Sequence, residues 1–167
     1  MKRILIIMLP CLVVIGLLSS SSAARVYQKE DPAQTLIKAS RFLEERPFDK
    51  DAKKIRGWAV GWVTETDKVG VKVCPLILGV EKRYKYSSEL IVQYTIGMAA
   101  FKLANPERAG DEDAAQLAGI ESAISSYESM IKTEEKSKSS FMNQLLAKRA
   151  DGSLAQFVKD NNCKDKK

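Results

Sequence analysis

SSELIVQYTIGMAAFKLANPERAGDEDAAQLAGIESAISSYESMIK, residues 87–132, is the stretch that decides the fold. Leu90, Ile91, Tyr94, Met98 and Phe101 recur at intervals of three and four, the period of one buried helix face. Leu117, Ile120, Ile124, Tyr127 and Ile131 repeat the pattern. Asn105-Pro106 ends the first run, and Gly110 leads into the second. The reading is two long helices, one from Ser87 or Ser88 to Ala104 and one continuing to about Glu135. Glu89 suits the positive start of the first, and Gly97 within it permits close approach of a neighbour. Asp111-Glu112-Asp113 opens the second. Three adjacent acids admit a metal or acid–base reading, but a helix N-terminus attracts carboxylates without any catalysis, and that reading is preferred.

Working outward, Asp31-Pro32 reads as an N-cap and first helical residue, with Leu36, Ile37, Phe42 and Leu43 apolar until Pro47. Residues 32–46 form the expected first helix. Asp49 or Asp51 opens the next, to about Asp67, with Ile55, Trp58, Ala59, Trp62 and Val63 as its buried face. The tryptophans are read as core anchors, with a ligand platform as the alternative. Gly57 and Gly61, four apart, each cost helix stability, so a close helix neighbour is expected there. Val69, Val71 and Val73 alternate with Gly70 and Lys72, a short strand-like signal. Toward the other end, Lys132–Lys138 is charged and expected to be exposed. Ser139–Arg149 reads as a helix with Phe141, Leu145 and Leu146 inward, and Leu154–Lys159 as a further turn or two. The expected fold is all-α: a bundle of four to five helices with one irregular loop over about 67–86 that admits a short strand.

The chain opens with Lys2-Arg3, an apolar run from Ile4 to Leu18 and the small residues Ser19–Ala24, the plan of a secretory signal peptide cleaved after Ala24. An uncleaved membrane anchor is the alternative, but the run is short of the roughly 20 residues a span needs and contains Pro10. Residues 25–158 are then one helical domain and 159–167 a basic tail, in a periplasmic or secreted protein with no stable membrane insertion after cleavage. Two of the 27 basic residues lie in the signal, leaving a mature charge of +4 against 21 acids. No aromatic–basic platform suggests nucleic acid. Cys11 leaves with the signal, so Cys74 and Cys163 remain, most simply as a disulfide in an oxidising compartment. Closing that loop stabilises by about 4–5 kcal/mol in the chain-entropy picture; two free thiols or a bridge to another chain are the alternatives.

The chain has no histidine, which removes Ser-His and Cys-His machinery and the commonest zinc ligand. Ser129-Met130-Ile131-Lys132 matches a Ser-x-x-Lys pattern, but its companion motifs are absent. No catalytic residue, metal site or cofactor is assigned, and the chain is read as a non-enzyme. Lys82, Arg83, Tyr84, Lys85 and Tyr86 place three cations and two aromatics in five residues. Tyrosine and arginine are enriched at interface anchors, so this is the expected partner-binding patch, for a protein with an acidic surface. A polar loop with partly buried tyrosines is the alternative.

Gly57-Trp58-Ala59-Val60-Gly61, Cys74-Pro75, Leu103-Ala104-Asn105-Pro106-Glu107 and Ala114-Ala115-Gln116-Leu117 follow one another in an order that resembles the Rap/Tai-type immunity proteins of type VI secretion. The resemblance runs from Gly57 to about Ile124. It implies a small periplasmic helical domain that binds and silences a toxic effector. The family's second-helix cysteine is replaced here by Trp58-Ala59, and Cys163 lies far downstream of the alanine-rich helix, so the disulfide plan differs. The expected function is an exported binding protein, adaptor or immunity-like, acting by protein–protein contact. A small disulfide-stabilised envelope chaperone is the alternative.

Overall fold

A computed structural model describes residues 30–74, 84–161 and 163. The expected signal peptide, Lys82, Arg83 and residues 164–167 lie outside them. Proline, glycine and capping side chains divide the described chain into six helices: α1 Pro32–Glu45, α2 Ala52–Glu65, α3 Ser87–Ala104, α4 Glu112–Thr133, α5 Ser140–Ala150 and α6 Leu154–Asn161. The architecture is all-α, with one helix more than expected. α6 forms two full turns that continue past Lys159 into the expected basic tail.

Local chemistry sets most of the boundaries. Asp31 accepts from the Ala33 N–H at 3.2 Å with Pro32 behind it, Asp111 accepts from Ala114 at 3.0 Å, and Ser139 accepts from Met142 at 3.2 Å. α3 differs from expectation at its start: Tyr86 is the capping residue and neither Ser87 nor Ser88 caps. The tertiary hold on Tyr86, described below, takes the place of a side-chain cap.

α3 is the central element. Leu90, Tyr94 and Met98 join Ile120, Ile124, Tyr127 and Met130 of α4 and Met142, Leu145, Leu154 and Val158 of α5 and α6 in one apolar cluster. Ile96 and Ala99, on another side of α3, pack with Leu36, Leu43, Ala52, Ala59 and Val63 of α1 and α2 in a second. Each leucine or isoleucine removed from water in this way contributes about 1.5–3 kcal/mol. On α5 it is Met142, not Phe141, that is buried beside Leu145. Gly97 is where α3 meets α4: a Cβ there would lie 2.5 Å from Ser122 Cβ and 3.3 Å from Gly119 Cα. The close approach expected at Gly97 is therefore present, with Gly119 as its counterpart. At Gly57 and Gly61 it is absent among the described residues, since an added Cβ meets none of them within 4 Å at either.

The Val69–Val73 segment forms no strand. Val69 is buried and Val73 is exposed, but no second strand lies among the described residues to pair with them. Side chains take the strand's place. Lys102 Nζ donates to Gly70 O at 3.0 Å and Gln116 Nε2 to Lys72 O at 2.6 Å, while the Cys74 N–H reaches Tyr94 Oη at 3.4 Å. Tyr94 donates in turn to Gln116 Oε1. Tyr94 is fully buried, and burial pushes its hydroxyl up to about 12. A disulfide joins Cys74 to Cys163, with Cα atoms 5.2 Å apart, and so ties the chain beyond α6 to this segment.

Candidate functional site

The Lys82–Tyr86 patch is described from Tyr84 onward. Tyr86 is 7% exposed and belongs to the larger apolar cluster, its ring 4.9 Å from that of Phe48. Its hydroxyl donates to Glu134 Oε2 at 2.5 Å. Tyr84 is half-buried and donates to Ser137 O at 2.6 Å, with the two tyrosine rings edge to face at 5.8 Å. Lys85 is exposed, and the Tyr86 hydroxyl and Glu134 hold its ammonium above the ordinary lysine value. The expectation of an exposed aromatic anchor is corrected at Tyr86. A tyrosine with both an apolar ring and a hydroxyl to satisfy finds the first partner in Phe48 of the α1–α2 connection and the second in Glu134 of the α4–α5 connection.

Trp58 is corrected in the opposite sense. Expected in the core, it is 40% exposed, one of two large apolar side chains that stand out among the described residues. α2 packs inward through Ala52, Ala59 and Val63, all small enough to bring its backbone close to α1 and α3. That close seat turns the arc carrying Ile55, Trp58 and Trp62 toward the rim. The arrangement opens a groove of about 600 Å³ between α1 and α2. Ala39 and Phe42 form one wall and Ile55 and Trp58 the other, with Lys38, Lys54, Glu30 and Asp51 around the edge. Lys38 is held by Glu30, which leaves Lys54 as the cation at the mouth without a carboxylate partner among the described residues. The signal that would have found this site is the row of small residues in α2, which fixes the buried direction better than the heavy tryptophans do.

A second cleft, of about 320 Å³, lies over the Gly97 crossing between α1, α3 and α4. Its polar side is Ser40, Glu44 and Ser122. Ser122 Oγ donates to Glu44 Oε1 at 2.5 Å, and buried Gln93 donates to Ser122 Oγ at 2.8 Å and to Ser40 O at 3.1 Å. Burial pushes the Glu44 carboxyl up, and the two serine hydroxyls pull it back down. This network joins three helices through polar groups bonded to one another.

Two of the three acids singled out in the sequence are engaged structurally. Asp111 caps α4, and Glu112 pairs with the buried Lys102. Ser129 and Lys132 lie on the last turns of α4 with no hydrogen bond between them, and Lys132 is exposed. No group of three histidine, cysteine or carboxylate side chains gathers as a metal-ligand set among the described residues. No helix among them is long and apolar enough to cross a membrane. The chain matches no family model, no curated protein and no solved structure.

Proposed function

We propose that the protein is an exported binding protein that acts by contact with another protein, seated in the α1–α2 groove around Trp58. The observation that carries the reading is a tryptophan left 40% exposed on the wall of an apolar groove. Tryptophan is the side chain most often found as an interface hot spot, since a large ring is desolvated at little entropic cost. The partner inserts an apolar side chain between Phe42, Ile55 and Trp58 and sets an acidic group against Lys54. Lys82, Arg83 and Lys85 add positive charge that steers an acidic partner, while Tyr84 and Tyr86 serve the protein's own packing. The Rap/Tai-type resemblance supports an effector-neutralising role for such a contact, in the periplasm or outside the cell.

Photo-crosslinking from position 54 in the native envelope identifies the partner, and Trp58→Ala then tests the groove. One dominant partner is expected, with affinity reduced at least about 30-fold by the substitution, the loss of an anchor worth about 2 kcal/mol. Thermal stability should change little, because Trp58 is outside the core. A partner whose affinity ignores Trp58 overturns the groove as the site. Many unrelated partners, increasing under stress, favour the envelope chaperone instead.

A further inference from the structure

The outer side of α2 carries a row distinct from the groove, with Lys54 bordering both. Lys53, Gly57, Gly61 and Glu65 stand four residues apart, so they lie along one line of the helix surface. Lys53, Gly57 and Glu65 are exposed and Gly61 is half-exposed. The row is bare backbone in the middle, since nothing among the described residues comes within 4 Å of a Cβ built at either glycine. At its ends are opposite charges, a lysine at the helix N-terminus and a glutamate at the C-terminus. That order runs against the helix dipole, and α2 has no acid in its first turn and no base in its last. Among the described residues neither Lys53 nor Glu65 is in an ion pair.

We propose that this row is the contact surface for a second copy of the chain, with the two α2 helices antiparallel about a two-fold axis level with Ala59. The charges select that occupant. In an antiparallel pair, Lys53 of each copy meets Glu65 of the other, and Gly57 meets Gly61. A parallel pair would place lysine on lysine and glutamate on glutamate. The surface is thus complementary to itself under the one operation that makes a closed dimer. The bare backbone at the centre lets the helices approach until the charged ends, about 18 Å apart along the axis, engage at both ends of the contact. Lys54 faces Thr64 in the same register, so no like charges oppose one another within the helices. Trp58 lies beside the row, on the side that faces α1, and is not needed for the pairing.

The test is sedimentation equilibrium on the mature chain at low salt, from about 1 µM to about 500 µM, the range in which a single helix-on-helix contact is expected to form. Wild type should pass from monomer to dimer across it, and added salt should weaken the dimer. Lys53→Glu alone and Glu65→Lys alone should each weaken it at least about tenfold, because each sets like charges at both ends. The double substitution Lys53→Glu with Glu65→Lys should restore it. Mixing the two single variants should yield a heterodimer, since every opposed pair is then complementary. A chain that stays monomeric overturns the proposal, as does a dimer indifferent to the single reversals or one that the double reversal fails to restore. None of these variants touches Trp58, so failure here leaves the partner groove standing, and failure of the groove leaves the dimer.

Discussion

Two pairs of helical glycines, alike in sequence, have opposite surroundings. Gly97 and Gly119 face one another where α3 crosses α4. A Cβ on Gly119 would lie 2.6 Å from Met98 Cγ and 2.8 Å from both Tyr94 Cδ2 and Tyr94 O. Gly57 and Gly61 stand on the outside of α2, with no described residue within 4 Å of a Cβ built at either. A glycine in a helix costs about 1 kcal/mol relative to alanine wherever it stands. At the crossing that cost is offset within the chain, by backbones close enough for Tyr94, Met98, Ile120 and Tyr127 to be sealed from water. On α2 nothing among the described residues offsets it. A residue that is unfavourable in the isolated fold and unconstrained by it is where a requirement from outside the fold is expected to show.

The sharpest way to break this comparison is to add the same methyl group to both pairs. Gly119→Ala should destabilise by about 1–2 kcal/mol, overpacking at the top of its usual range less the helix-propensity gain. In a domain of this size that lowers the melting temperature by roughly 3–6 °C. The Met98 side chain can shift, but Tyr94 O is backbone and cannot without moving α3. A melting temperature that is unchanged would mean the crossing is looser than the described geometry. Gly57→Ala and Gly61→Ala should go the other way, each raising stability by about 0.8–1 kcal/mol when melted at concentrations where the chain is monomeric. Loss of stability at either would place a neighbour against α2 inside the monomer and remove the contrast.

The sequence carried one half of this contrast and missed the other. The period of Leu90, Tyr94 and Met98 against Ile120, Ile124 and Tyr127 made the α3–α4 pair legible, because a long run of evenly spaced large residues has one buried solution. The boundaries at Asp31-Pro32, Asn105-Pro106 and Asp111 were legible for a similar reason, since proline geometry and capping act over a few residues. What periodicity does not carry is which of several apolar directions on a short helix wins. In α2 the alanines at 52 and 59 took the close seat, and Trp58 was left at the rim. The extended segment through Val71 carries a strand-like signal without being a strand, because alternation reports burial and says nothing about what satisfies the backbone. Here Lys102, Gln116 and Tyr94, distant in sequence, do so. Tyr86 looked like an exposed anchor because Glu134 and Phe48, its partners, lie 48 residues after it and 38 before it.

A smaller effect should sharpen the crossing itself. Ser122, whose Cβ closes on Gly97, donates to Glu44, so the packed side of the comparison has a titratable edge. Burial beside α3 and α4 raises the Glu44 carboxyl above its ordinary value of 4.5, against the pull of Ser122, Ser40 and, more weakly, Arg41, with Glu45 adding to the rise. A carboxyl raised in the fold binds its proton more tightly there than in the unfolded chain. Its contribution is therefore complete below the unfolded value, near pH 4.5, and is lost as pH rises through the higher folded value. Glu44→Gln removes that titration while keeping an oxygen to accept from Ser122. The variant should match wild type in thermal melts near pH 4 and exceed it near pH 7, with the gap opening between. The gap should be smaller than the change at either glycine pair, because solvent still reaches the carboxylate. A gap that stays constant from pH 4 to pH 7 would mean that the folded and unfolded chains hold this proton equally. A gap of the opposite sign would mean that the ionised carboxylate, taken with its serines and Arg41, is the form the α1–α4 contact is built to hold.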